Sequence, residues 1–213
     1  NLGVDYETWL TLINPTSQGA TVHLLLYGDN GQLLGSAPPV SVPARSKVHQ
    51  NFVTLFGVSQ AVTGSLVAEV TGPGAVTGAV TFGEAGAGRF LSSLPLLTAG
   101  DADYIVGHMA NGTLGGVAFF TGLTVLNPGV ASQTYRLTAF DQNGLPLGSV
   151  DTPVAAHARD VFLLDQKLPG LISIFGGYLR IESLTGGELM VFALFGDQSL
   201  NFLSAVNAQA IRE

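Results

Sequence analysis

The sequence predicts an all-β protein made of two tandem antiparallel β-sandwich domains of immunoglobulin-like type, related by internal duplication. Three observations carry this. Laid over itself at an offset of 113 residues, the chain matches at 21 of 83 positions from Thr8 to Phe90 without a gap. Self-similarity at a fixed period marks repeated structural units. The apolar runs are short and separated by Gly, Pro, Asn or Ser, the grammar of strands and turns. No window of 12 residues carries a helical period.

In the first copy the predicted strands fall near residues 8–13, 20–27, 48–56, 64–70, 76–82 and 89–94. Asn14-Pro15 and its counterpart Asn127-Pro128 end strands, because proline donates nothing to a ladder and forces its predecessor into extended geometry. Asn30-Gly31 and Asn143-Gly144 lie between apolar runs and are expected to form type I′ hairpin turns, which need two positive φ angles. A turn of helix is expected near Lys47 to Phe56 and again at Asp160 to Pro169. Strand alternation assigns faces. Leu66 and Ala68, like Leu179 and Ile181, point inward, because the other parity carries Glu69, Arg180 and Glu182. The run Leu189 to Phe195 is apolar on both parities: Met190, Phe192 and Leu194 stand where the first copy has Thr77, Ala79 and Thr81. A strand apolar on both faces is covered on both or leaves an interface.

One segment does not repeat. Residues 1–97 form the first predicted domain, residues 113–213 the second, and residues 98–112 a linker or shared strand. Its apolar run, Tyr104 to Met109, exists once for two domains. It completes one of the copies and leaves the other short, or it is a plain linker between two complete domains. A sandwich short of a strand presents unpaired backbone and an apolar groove, the substrate of strand addition.

The pattern from Leu10, LTLINP…ATVHLLLYGDNGQLLGS, followed about 45 residues later by a strand ending Phe82-Gly83, resembles a repeated β-sandwich module of large secreted bacterial proteins. In that module an aromatic-rich strand and an "ANG" turn lead into "xTxLxLxNP", as Tyr104 to Pro128 does here. The resemblance spans nearly the whole chain and rests on turn and core residues. It implies an extracellular or cell-surface setting and a structural or adhesive role, and it transfers no catalytic residue.

Composition narrows the function classes. Fifteen acids against eight bases give a formal charge of −7, so no basic field attracts nucleic acid. No apolar stretch approaches the length of a membrane span, and no leader peptide is expected. With no cysteine there are no disulfides, thiolate metal sites or cysteine nucleophiles.

Chemistry-bearing motifs are weak. His23, His49, His108 and His157 lack metal-ligand spacing. No G-x-S-x-G elbow occurs, and the glycine-rich run Gly83 to Gly88 lacks the Lys-Ser/Thr of a phosphate loop and reads as a hairpin tip. Glu69 and Glu182 recur, but in separate domains on outward parities. Asp101 and Asp103 are the best Ca²⁺ candidates, although two carboxylates fall short of 6–8 oxygen ligands. Asn111-Gly112-Thr113 matches a glycosylation sequon. Trp9, the single tryptophan, is expected to face outward and is the only candidate for a sugar platform.

The expectation is therefore a non-enzymatic, cofactor-free extracellular structural subunit that polymerises with copies of itself into a filament or surface layer. Its expected interface residues are Leu2, Val4, Tyr6, Tyr104, Val106, Met190, Phe192 and Leu194, with Asn1 to Glu7 the favoured donor strand. A mean hydropathy of +0.40 in a chain with few charges supports apolar surface held for contacts. A carbohydrate-binding or adhesive module, with glycans as partners, is the alternative.

Overall fold

Period two becomes a buried face along the whole of β2 (Ala20–Gly28), where Ala20, Val22, Leu24 and Leu26 are buried and His23 is exposed. The computed structural model describes residues 6–58, 62–86 and 88–212. The fold is all-β, built from antiparallel sheets, and it divides into two units, Asn1–Leu96 and Leu97–Glu213.

Unit 1 contains β1 (Tyr6–Asn14), β2, β3 (Leu33–Ser36), β4 (Val40–Val42), β5 (Ser46–Asn51), α1 (Phe52–Phe56), β6 (Gly64–Thr71), β7 (Thr77–Glu84) and β8 (Leu91–Pro95). One sheet runs β5-β1-β7-β8. In the other, β2 is central, with β3 and β4 along one side and β6 along the other. Leu10 and Leu12 of the first sheet and Val22, Leu24, Val40 and Val42 of the second share one apolar core with Leu55 of α1. The helix is short and locally specified. Asn51 caps it by accepting from Val53 N–H at 2.9 Å, and Gly57, at φ 64°, ends it in the left-handed conformation.

Unit 2 contains β9 (Asp103–Val106), β10 (Ala110–Leu114), β11 (Val117–Leu126), β12 (Gln133–Phe140), β13 (Pro146–Val154), β14 (Arg159–Leu163), α2 (Leu164–Lys167), β15 (Ile174–Phe175), β16 (Tyr178–Ser183), β17 (Met190–Asp197), β18 (Leu203–Asn207) and β19 (Gln209–Ala210). The order β14-β11-β17-β18 repeats that of β5-β1-β7-β8, with β10 and β15 added. The order β13-β12-β16 repeats the other sheet, and here β9 and then β19 continue beyond β16. The unrepeated strand therefore pairs within unit 2.

Three local features explain recurrent residues. Asn14 and Asn127 are both fully buried at the end of the first strand of each copy. Asn14 donates to the Gln18 and Val42 carbonyls and accepts from Thr16 N–H. Asn127 donates to the Ala131, Val154 and Ala155 carbonyls and accepts from Gly129 N–H. Each clamps the loop that follows it. Gly64 and Gly177 recur because a Cβ at either would strike a carbonyl of the neighbouring strand, that of Tyr27 or Phe140. The Asn-Gly hairpins differ from the expected type I′. Gly31 and Gly144 have φ of 81°, but neither asparagine has positive φ. The turns close from Gly31 N–H to Gly28 O and from Gly144 N–H to Asp141 O, and each is followed by a register shift. This is the three-residue hairpin with a glycine bulge, which needs one left-handed residue rather than two.

The ungapped match also conceals a slip. Leu10 faces Gln50 across β1·β5, but its counterpart Leu123 faces Phe162, which corresponds to His49. The turn before the strand shifts with it: the left-handed residue is Arg45 in one copy and His157, one place earlier, in the other. A one-residue shift reverses faces. Val48 thus packs on the core of unit 1, while Val161 is exposed and Phe162 is buried in unit 2. Register is restored by β6 and β16, where Leu66 faces Leu26 and Leu179 faces Ala139.

Candidate functional site

The feature that separates the copies is the outer edge of β6. Its counterpart β16 lies between β12 and β9, with Leu179 opposite Val106 and Ile181 opposite Tyr104. All four side chains are buried, and Met109, just beyond β9, is fully buried too. Polar contacts fix the added strand. Tyr104 Oη–H donates to Leu189 O at 2.8 Å, and the Arg180 guanidinium grips Asp103 at 2.6 Å.

Among the described residues β6 pairs with β2 alone. Leu66 and Ala68, expected in the core, are only half-buried, and Val67 and Val70 are exposed at 36% and 42%. The edge is eight residues long, contains no Pro or Lys, and carries one charge, Glu69. Strand edges in solution are ordinarily blunted by such residues or covered. The cores reflect the difference: among the described residues, eight buried side chains cluster in unit 1 and nineteen in unit 2.

The expected interface residues are distributed as follows. Leu2 and Val4 lie outside the described residues. Tyr6 is exposed at the start of β1, opposite Glu84, with its ring 5.7 Å from that of Phe90. Partial burial and the Glu84 charge raise its phenol above the ordinary value. Tyr104 and Val106 are core residues of unit 2. Met190, Phe192 and Leu194 are half-buried on one face of β17. Their cross-strand neighbours there are Leu126, Thr124 and Gly122 of β11, and the exposed Val161 and Leu163 of β14 extend this apolar face.

The remaining candidates have partners of their own. Asp103 is held by Arg180, and Asp101 accepts from Arg212 Nε at 3.2 Å and from Ala102 N–H. Among the described residues no three His, Asp or Glu side chains gather as metal ligands. Trp9 does face outward, but His49 stacks on its indole at 4.9 Å with ring planes 5° apart. Asn111 is buried and its Nδ2 donates to Leu171 O at 2.7 Å, so the sequon nitrogen is engaged in the folded chain. Among the described residues, no helix is long and apolar enough to cross a membrane.

Two polar sites carry no sequence motif. Glu84 and Asp197, 113 residues apart, both tie down the hairpin tip that follows. Glu84 accepts from Arg89 N–H and its guanidinium, which hold its carboxyl below the usual range. Burial acts to raise Asp197, but hydrogen bonds from Phe202 N–H and from the Asn201 side chain and N–H outweigh it and keep that carboxyl low. The glycine-rich tip is thus anchored at Glu84. The second site is in unit 2, where Tyr135 Oη–H donates to Asp160 at 2.7 Å and Lys167 pairs with the same carboxylate at 2.8 Å. The 113-residue offset is the one sequence signal that could have found Glu84 and Asp197, and their different residue types hid it. Nothing in the sequence joined Tyr135 to Asp160.

No family model matches the chain, and no curated protein matches it. Among solved structures it is similar to the crystal structure of Thermotoga maritima 1070, at 16% identity and a TM-score of 0.43, covering 53% of this chain and 96% of that one. It is also similar to a calcium-binding mutant of Bacteroides uniformis beta-glucuronidase 2, at 11% identity and a TM-score of 0.19, where it covers 97% of this chain and 25% of that one. Neither likeness bears on activity.

Proposed function

We propose that each unit is a two-sheet sandwich of one duplicated type, and that the chain is an extracellular structural subunit assembling head to tail with copies of itself. The observation that supports this is the outer edge of β6: it is uncharged but for Glu69 and, among the described residues, unpaired where β16 carries β9. An added strand would satisfy the backbone groups of that edge and cover Leu66 and Ala68. Contacts between unlike surfaces of identical subunits propagate into open filaments when the rotation between subunits does not close. The apolar face around Met190, Phe192 and Leu194 offers a second contact area. On this reading the protein is not an enzyme and needs no cofactor. Electron microscopy of the native protein, beside light scattering over a concentration series, tests it: filaments or sheets are expected, and a strictly monomeric protein at all concentrations overturns it.

The outward-facing Trp9 supports one alternative, a glycan-binding module. Binding on a glycan array that disappears in Trp9→Ala is the result that would favour it.

A further inference from the structure

We propose that Asn30 is a self-modification site: in the folded protein the Asn30-Gly31 turn converts itself through a cyclic imide to aspartate and isoaspartate, while Asn143-Gly144 and Asn111-Gly112 are held back by their surroundings. The inference goes beyond the assembly reading and does not depend on it. An asparagine followed by glycine is open to attack on its side chain by the next backbone nitrogen, because glycine has no Cβ to crowd the approach. The chain has three such pairs. The step needs only water. Gly31 N gives up its proton to solvent and bonds to Asn30 Cγ; the Cγ–Nδ2 bond breaks, and Nδ2 takes a proton from solvent and leaves as ammonia. Water then opens the ring at either carbonyl, giving aspartate or, where the bond from the main-chain carbonyl is cut, isoaspartate with one extra backbone carbon. One water enters, one ammonia leaves, and nothing is oxidised or reduced.

The duplication supplies a comparison within one chain. The two hairpin tips share their backbone hydrogen bonds: Gly28 N–H donates to Gln32 O at 2.8 Å and Gly31 N–H to Gly28 O at 2.9 Å, as Asp141 N–H does to Leu145 O at 2.9 Å and Gly144 N–H to Asp141 O at 3.1 Å. In both, the attacking nitrogen is engaged until the turn opens. They differ in what braces them. In unit 2 the Asp141 carboxylate accepts from Asn143 N–H and Leu145 N–H, both at 2.8 Å, and from Asn143 Nδ2 at 3.4 Å. The Leu145 and Asn143 bonds hold this carboxyl below the usual range, so it is charged at neutral pH. In unit 1 the corresponding residue is Gly28, which has no side chain. The amide that corresponds to Leu145 N–H, that of Gln32, donates instead to Asn30 Oδ1 at 3.0 Å.

Each difference favours reaction at Asn30. Opening the turn in unit 2 breaks hydrogen bonds to a carboxylate, whereas the bracing bond in unit 1 joins neutral groups, and charged partners make the stronger bonds. Removing the proton from Gly144 N sets negative charge beside Asp141 in the same turn. The acid next to Asn30, Asp29, accepts from Thr63 Oγ1 at 2.9 Å. Asn111 is held most firmly: it is buried, its Nδ2 donates to Leu171 O at 2.7 Å, and Gly112 lies in β10 opposite Phe119, where a Cβ would strike the Ile172 carbonyl. Conversion at Asn30 places a new carboxylate, and in the isoaspartate form an extra backbone carbon, at the tip of β2–β3. There β3 pairs with β2 over Leu25 to Tyr27 and already carries a register shift, so conversion should loosen β3.

Trypsin separates the three pairs into different peptides, because Arg45, Arg89 and Arg136 lie between them and Arg159 beyond the last. The full chain, kept in warm and mildly alkaline buffer, is sampled over time by peptide mass spectrometry, which reads a gain of about 1 Da per converted asparagine, and by enzymatic methylation of isoaspartate. In folded protein Asn30 should convert about tenfold faster than Asn143, as expected where one turn is braced by hydrogen bonds to a charged group and the other is not, and Asn111 should stay intact. In urea the three should convert at similar rates, so that the order in folded protein is set by structure. Equal rates at Asn30 and Asn143 in folded protein, or a faster Asn143, would overturn the proposal, as would an Asn30 that stays intact while the unfolded chain reacts. Asp141→Gly, which gives the second hairpin the residue of the first, should bring Asn143 to the rate of Asn30. An Asn143 that remains slow in that variant would overturn the bracing by Asp141.

Discussion

Leu66 and Leu179 occupy the same place in the two copies, yet Leu179 is fully buried and Leu66 only half-buried: Val106 covers the outer side of Leu179, and no described strand pairs on the outer side of Leu66. The two leucines measure, within one chain, what an added strand does for a core residue. Truncating a fully buried leucine costs about 2–5 kcal/mol through lost transfer energy and a residual cavity. Leu179→Ala should fall in that range by urea denaturation. Leu66→Ala should cost less in dispersed protein, and its cost should grow in assembled protein as the position becomes covered. Equal effects in the dispersed state would show that Leu66 is already enclosed.

Asn127 and Asn14 hold their loops through amide groups removed from water. Asn127→Ala strips a partner from the Ala131, Val154 and Ala155 carbonyls at once. Leaving a buried polar group unpaired costs about 1–3 kcal/mol. Unfolding midpoints of Asn127→Ala and Asn14→Ala should both drop, and hydrogen exchange should accelerate in the loops after Asn14 and Asn127. A loss of stability without loop exchange would place the effect elsewhere.

Much of this architecture was legible in the chain because period-two burial, turn glycines and the 113-residue repeat all reflect local backbone requirements. Gly64 and Gly177 recur because no side chain fits there, and Asn14 and Asn127 because the loop needs that amide. The slip between β5 and β14 was not legible. Val48 and Val161 align as identical residues while facing opposite ways, since the displacement begins in one turn and is undone before the next strand. Pairing partners were equally hidden. Tyr104 to Met109 reads as a strand whichever copy owns it, and only its register against β16 settles ownership. Of the expected interface set, Tyr104 and Val106 belong to the core because sequence pattern reports that a face is apolar, not what covers it.

Acid should destabilise the protein through carboxylates held low in the fold. Hydrogen bonds keep Glu84, Asp141, Asp151 and Asp197 below their ordinary values. A group with a depressed folded-state pKa contributes stability above its unfolded value, and that contribution is lost as pH falls through the folded value. Urea midpoints should therefore hold steady near neutrality and fall below the ordinary carboxylate range. Asp197→Asn should lower the neutral-pH midpoint and make the acid limb shallower. An unchanged acid limb in that variant would remove Asp197 from the explanation.

At the alkaline end the sign reverses, and Tyr135 carries the effect. Burial, then its hydrogen bond to the Asp160 carboxylate, pushes its phenol far above the ordinary value, because ionisation would place a second negative charge beside the first in a buried site. The folded state thus keeps a proton that the unfolded state releases near the usual tyrosine value, so stability is present below that value and declines as pH rises above it. Following phenolate absorbance during alkaline titration, Tyr135 should ionise only together with unfolding. Tyr135→Phe should remove its part of that late step, leaving the part of Tyr104, which burial also holds above the ordinary value, and it should cost about 1.5–3 kcal/mol at neutral pH through the loss of a hydrogen bond to a charged group. Lys167 still balances the Asp160 charge in this variant, so the fold should survive and the missing part of the titration can be read directly. A fifth phenolate appearing reversibly in folded protein would show that the Tyr135 hydroxyl is not buried against Asp160.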